Sequence, residues 1–341
     1  MADAHLIATT QAPRESWREA MADLISSGEE LLASLGLDSE ALGLSAEAAR
    51  TFPLRVPRAF AARMRRGDPN DPLLRQVLAV REETLPAPGF GSDPTGEQGD
   101  ANPRRGVIHK YHGRLLLVVT GSCAIHCRYC FRRHFPYGDN QNSRKEWGEA
   151  LDYIAADPEV HEVILSGGDP LVAGDRALAE LVQSIAAIPH VKRLRVHTRL
   201  PVVIPERVTD GLLQALAGTR LPCVVVLHSN HHRELDAAVA DSCRQMAAAG
   251  ITLLNQAVLL RGVNDNLDAQ LQLAERLFEL GVLPYYLHLL DKVDGASHFD
   301  IPEALALELH HAMAARLPGY LLPRLVREVA GAPAKMAVTA G

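Results

Sequence analysis

The sequence predicts an α/β protein: a partial (β/α)6 barrel of the TIM type, preceded by a helical N-terminal extension. Three observations predict it. Beyond residue 106 the chain carries six short runs rich in β-branched residues: "RLLLVVT", "HEVILSGG", "KRLRVHT", "CVVVLHS", "ITLLNQAVLL" and "VLPYYLHLL". Between them lie amphipathic stretches such as "ALAELVQSIAAI", "ELDAAVADSCRQMAAAG" and "NLDAQLQLAERLFELG", and a repeated βα pattern demands a parallel sheet with right-handed crossovers. The unusual polar residues also gather where the runs end, and in such barrels the loops after the strands converge above a packed interior.

Taken in order, residues 1–84 read as a helical N-terminal region. "SWREAMADLISSGEELLASLGL" has Trp17, Met21, Leu24 and Ile25 at helical spacing, and "PRAFAARMRRGDPNDPLLRQVL" is interrupted by turn residues. Residues 85–105, including "LPAPGFGSDPTGEQGDANP", are rich in Pro, Gly and acidic residues, the composition of a linker or exposed excursion holding the main boundary. Residues 106–320 form the barrel and 321–341 a C-terminal segment. The first run leads into a cysteine cluster and the second ends in Ser166-Gly167-Gly168-Asp169. The later ones end in His197-Thr198-Arg199, in His228-Ser229-Asn230, near Gln256 and Arg261, and at His288 and Asp291.

At 341 residues the chain can bury a large core. Its net charge of -6 gives no reason to expect nucleic acid or an anionic membrane as partner. The opening "MADAHLIATTQAPRES" lacks a basic start, an apolar stretch of signal length and a cleavage site, so the expectation is a soluble cytoplasmic protein. Five cysteines in a reducing compartment argue against a disulfide framework.

Three of those five stand in "GSCAIHCRYCFRRH" as Cys123, Cys127 and Cys130, a C-x3-C-x2-C spacing. Three thiolates can hold three irons of a cubane cluster and leave the fourth open to a non-protein ligand. The alternative is zinc with His126 or His134 as fourth ligand, but structural zinc sites pair two short knuckles and no second one exists. Cys223 and Cys243 read as small buried apolar residues.

This spacing on the loop after the first barrel strand resembles the radical S-adenosylmethionine enzymes. More narrowly, the chain resembles the lysine 2,3-aminomutase family, nearest to its short bacterial members that supply β-lysine for modifying elongation factor P. The likeness begins near "FPLRVPRAF" at residue 52 and includes "CRYCFRR", "VILSGGDPL", "TRLPVVIPERVT", "NQAVLLRGVND" and "PYYLHLLDKVDG". It implies a 4Fe-4S cluster, S-adenosylmethionine and pyridoxal 5'-phosphate as cofactors. It also implies L-lysine as substrate, a flavodoxin- or ferredoxin-type electron donor, and a functional link to elongation factor P and its lysyl ligase. A deoxyadenosyl radical would take a hydrogen from the substrate β-carbon, the nitrogen would migrate, and the hydrogen would return at the α-carbon.

Residue by residue, the resemblance puts Gly167, Gly168 and Asp169 in the methionine-binding turn, where missing Cβ atoms let backbone approach a ligand; an ordinary βα turn is the alternative. His228 and Gln256 would touch the same ligand, or be satisfied core polar residues. Pyridoxal phosphate needs a lysine. Lys110 and Lys192 precede strands at the far rim and Lys145 opens a helix, so the residues alone leave Lys292 and Lys335; the resemblance selects Lys335. Tyr111 and Arg114 match phosphate-binding positions, with a surface pair at the far rim as the alternative. Arg132 matches the arginine that grips the substrate carboxylate, against a solvated basic loop shared with Arg128 and Arg133. Asp291 and Glu328 match the two aspartates that hold the distal ammonium, Glu328 reaching one methylene further. Glu328 on a surface helix, paired with Arg324 or Arg327, is the other possibility. Two carboxylates disfavour a glutamate-type aminomutase, and the lack of a fourth clustered cysteine disfavours an electron-transfer or sensor protein.

Overall fold

The structure is a computed structural model that describes residues 16–140 and 147–339; Lys145 lies outside the described residues. A small antiparallel pair, β1 (Leu24–Ile25) and β2 (Val56–Pro57), sits among the N-terminal helices. The main sheet has nine strands: β3 (Val107–Tyr111), β4 (Arg114–Thr120), β5 (Glu162–Gly167), β6 (Arg193–Thr198), β7 (Cys223–His228), β8 (Thr252–Val258), β9 (Leu283–His288), β10 (Arg324–Arg327) and β11 (Met336–Ala337). Strands β4 to β10 run parallel, with β3 and β11 antiparallel at the edges. The six expected strands are β4 to β9. The seventh parallel strand, β10, replaces the surface helix considered for Glu328: "RLVR" is too short to announce itself, and pairing with β9 decides it.

Helices return the chain between strands as the apolar spacing requires. In Leu267–Glu279, Asn266 caps the first turn by accepting from the Ala269 N–H, and Ala269, Leu273, Ala274 and Leu277 form the buried stripe. In the N-terminal region the long helical pattern is broken: Ser27 caps a new helix, Gly28–Leu35, after Leu24–Ile25 has paired with Val56–Pro57. Leu31, Leu32, Phe60, Leu73 and Leu74 from this region share one hydrophobic cluster with barrel residues such as Leu115, Leu165 and Val225.

Two expectations are corrected here. The barrel interior is not a packed core: strand β6 buries Leu194 and Val196 in that cluster while Arg193, Arg195 and His197, on the alternate face, line a central cavity of about 740 Å³. And 85–105 is not simply an exposed excursion. Gly91 exchanges backbone hydrogen bonds with Lys292 and Asp294 beyond β9, the Thr95 carbonyl accepts from Lys110 on β3, and Thr95 and Glu97 are only 3% and 5% exposed.

Candidate active site

Cys123, Cys127 and Cys130 line the cavity on the loop after β4. That loop is fixed from outside. The Arg128 N–H donates to the Gln76 carbonyl and the His126 N–H to that of Arg55. Arg128 donates through Nε (2.8 Å) and Nη2 (2.6 Å) to Glu83, and Arg133 donates to the same carboxylate at 2.8 Å. Arg128 and Arg133 are therefore buried braces rather than a solvated basic loop, with Glu83 at 1% exposure as their counter-ion. His126 has its Nδ1 2.6 Å from the Pro53 carbonyl and its ring stacked on Phe52, while His134 lies by the Asp294 carbonyl. Among the described residues no three His, Cys, Asp or Glu side chains stand close enough to hold one ion. His126 and His134 are each turned to a backbone carbonyl, that of Pro53 and that of Asp294, rather than grouped with the thiols as a zinc site would need. Burial, with the charges of neighbouring cysteines, pushes the Cys123 thiol well up and that of Cys130 to about 11, so metal uptake must displace protons.

The glycine turn packs against this loop. A Cβ on Gly167 would sit 2.4 Å from the Thr120 carbonyl oxygen, and one on Gly168 2.5 Å from that of Ser122; the Gly168 N–H donates to Thr120 and the Asp169 N–H to Ser122. The close approach that needs glycine is therefore to the cysteine loop's own backbone. The Asp169 carboxylate accepts from the backbone N–H of Leu171, Arg199 and Leu200 and from the Thr198 hydroxyl, which makes it a brace. His228 is held 2.9 Å from the Tyr129 hydroxyl, and burial with the Arg199 charge lowers it to about 3, so it is neutral at pH 7. Gln256 lines the cavity and its amide has no protein partner among the described residues, which leaves it open to a ligand.

Deeper in, Lys335 and Lys110 converge on Glu328. Lys335 Nζ is 2.7 Å from Oε2, Lys110 Nζ is 2.6 Å from Oε1, and the Tyr111 hydroxyl donates to Oε1 as well. Burial alone would raise the Glu328 carboxyl, but the two ammoniums outweigh it and hold it near 2. Lys110 is thus not at a remote rim: β3 runs antiparallel and carries it to the C-terminal end of β10. Lys292 is exposed outside the cavity over the Phe90 ring, and no ion pair joins it to Asp291. Asp291 faces the cavity, its carboxylate without a hydrogen-bond partner among the described residues, and burial pushes it up to about 7. Arg114 lies 4.5 Å from the Tyr111 ring centroid, lines the cavity and makes no ion pair among the described residues, so both phosphate candidates face the lumen. Arg132 donates through Nε (2.6 Å) and Nη2 (2.9 Å) to Glu97, and through Nη1 to the Ser166 hydroxyl and the Gly167 carbonyl.

The site thus gathers the cysteines, Gly167, Gly168, Asp169, His228, Gln256, Arg132, Asp291, Glu328, Lys335, Tyr111 and Arg114 on one cavity. Of the strand-end residues, Ser229, Asn230 and Arg261 lie outside it. Glu97 escaped the sequence reading, which put Lys110 at the far rim and named Arg199 only as a strand-end residue. Only alternation in "IHKY" and "RVHTR" could have flagged Lys110 and His197 as inward-facing, and nothing local marks Glu97.

Residues 117–274 match the Radical SAM superfamily. The chain is 47% identical over 333 residues to the L-lysine 2,3-aminomutase of Escherichia coli K12, covering 97% of each chain. It is 48% identical over 321 residues to that of Haemophilus influenzae, covering 94% of this chain and 95% of the relative. With that of Clostridium subterminale it shares 32% over 330 residues, 96% of this chain and 79% of the relative. The chain belongs to the lysine 2,3-aminomutase family of radical SAM enzymes. Membership makes it an isomerase and implies a 4Fe-4S cluster and S-adenosylmethionine, which three cysteines lining one cavity with Gln256 fit.

Proposed function

We propose that this aminomutase converts L-α-lysine to β-lysine with pyridoxal phosphate as a further cofactor, held by Lys335. The observation that carries this is one cavity shared by the three cysteines, an unpartnered Asp291 carboxylate and Lys335. When bound, the cluster and S-adenosylmethionine supply the radical that takes a hydrogen, and pyridoxal phosphate carries the migrating nitrogen. The chain's part is placement. Asp291 receives the distal ammonium of lysine, and Glu328 holds Lys335 and Lys110 in position until the cofactor arrives. Arg114 and Tyr111 face the cofactor phosphate. Arg132 turns one unused Nη2 N–H toward the substrate carboxylate while Glu97 fixes its plane. An acidic side chain in place of lysine would meet the unpaired Asp291 carboxylate and be repelled.

The β-lysine serves elongation factor P through a separate ligase, the electron comes from a flavodoxin- or ferredoxin-type donor, and the enzyme works in the cytoplasm. The likeness to the short bacterial members of the family supports these three points. No helix among the described residues is long and apolar enough to cross a membrane. The test is anaerobic incubation of the reconstituted enzyme with S-adenosylmethionine, pyridoxal phosphate, reductant and each amino acid in turn. β-Lysine from lysine is expected; turnover of glutamate in preference, or no dependence on pyridoxal phosphate, would overturn the proposal.

A further inference from the structure

Arg199 closes strand β6 and reaches behind the cysteine loop. Its Nη1 donates to Cys127 Sγ at 2.7 Å and lies 2.7 Å from the Tyr129 hydroxyl. Its Nη2 donates to Gln76 Oε1 at 2.7 Å and to Glu234 Oε2 at 2.9 Å. The guanidinium is 6% exposed and Glu234 0%. Its position is over-determined: the Arg199 backbone N–H is held by Asp169, and Glu234 also accepts from Gln76 Nε2 and from the backbone N–H of Asn230 and His231. Nε has no partner among the described residues. A structural brace between Gln76 and Glu234 has no need of a sulfur, yet one N–H is aimed at a cluster-ligand cysteine.

We propose that Arg199 sets how readily the cluster is reduced, by donating a charged N–H to the Cys127 sulfur, and that Glu234 tempers it as counter-ion. This rests on the cluster assignment above. Reduction brings one electron from the external donor, breaks no bond, and increases negative charge on the cysteine sulfurs. A fixed N–H donor carrying positive charge therefore stabilises the reduced form more than the oxidised one. In a water-poor setting the effect is large, because little solvent screens it. Glu234 acts with the opposite sign: its negative charge, one guanidinium away, opposes electron entry. Arg199 and Glu234 are positioning residues in this scheme, acting through Cys127.

The test is anaerobic redox titration of the reconstituted holoenzyme, following the paramagnetic signal of the reduced cluster, with iron content measured first. Arg199→Gln should lower the equilibrium constant for reduction at least tenfold, a fall of ~59 mV in midpoint for one electron. Glu234→Gln should move the midpoint upward, since the guanidinium loses its counter-charge. A brace lost from either side would instead loosen the loop and shift both variants the same way. Should Arg199→Gln fail to hold four irons, Glu234→Gln decides. An upward shift supports the proposal, and an unchanged or lower midpoint overturns it. A wild-type protein that binds no cluster would defeat the cluster assignment itself, an outcome separate from unmoved potentials in cluster-loaded variants.

Discussion

Replacing Asp291 by Asn should cost lysine affinity in a pH-dependent way. Asp291 has no hydrogen-bond partner among the described residues, and burial sets its carboxyl at about 7; Lys335 and Lys110 pull it down while Glu328 and Glu97 push it up. Above that value it is ionised in the free enzyme and pairs with the lysine ammonium, which stays charged to about pH 10. There the substitution should cost about 2–5 kcal/mol, roughly 30- to 5,000-fold, as for removal of one partner from a buried pair. At pH 6 only about one site in ten is ionised, so the penalty should shrink roughly tenfold. The buried histidines His197, His228 and His288 are all lowered by burial, so they do not titrate in this range. Lysine affinity is measured on cofactor-loaded enzyme without reductant from pH 5.5 to 8.5, and the ratio of wild type to Asp291→Asn is taken at each pH. The ratio cancels titration of the substrate α-amine and of the cofactor. It should rise with unit slope and then level off, the break lying at or above about pH 7 because the loaded cofactor takes away the Lys335 charge that pulls Asp291 down. A ratio that is flat throughout, or equal affinities at pH 8, would refute the placement of the ammonium on Asp291.

Cys127→Ala should abolish both the brown cluster absorbance and deoxyadenosine formation, because two thiolates hold a cubane weakly; retained absorbance with full activity speaks against the cluster. Lys335→Ala should lose the visible band of bound pyridoxal phosphate while Lys292→Ala keeps it, and borohydride reduction with peptide mapping should label Lys335; a label on Lys292 or Lys110 would sink the assignment. Glu83→Gln should destabilise the cofactor-free protein by about 3–5 kcal/mol, since it leaves Arg128 and Arg133 buried beside a neutral partner. Chemical denaturation reads this directly, and a midpoint unchanged from wild type would show the pair to be dispensable.

The sequence by itself determined the six strands β4 to β9, because period-2 and helical periodicities alternate cleanly from residue 106. It also determined the rim on which chemistry gathers, because parallel βα units leave only one end for their loops. The cysteine spacing is local and was legible for the same reason, as were the glycines of the turn, although their Cβ-free surfaces turn out to face Thr120 and Ser122. Tertiary structure alone decided which charges meet. Lys110 and Glu328 are 218 residues apart and are joined only because β3 and β10 approach across the open edge of the sheet. Glu97 sits in a stretch whose composition reads as linker, yet it fills the Arg132 fork from 35 residues away. Arg199 reaches Cys127 over 72. Periodicity reports which face of an element is apolar, and so it finds the core. A charged residue buried in a lumen looks, in sequence, the same as one in water, and only the partner that neutralises it tells them apart.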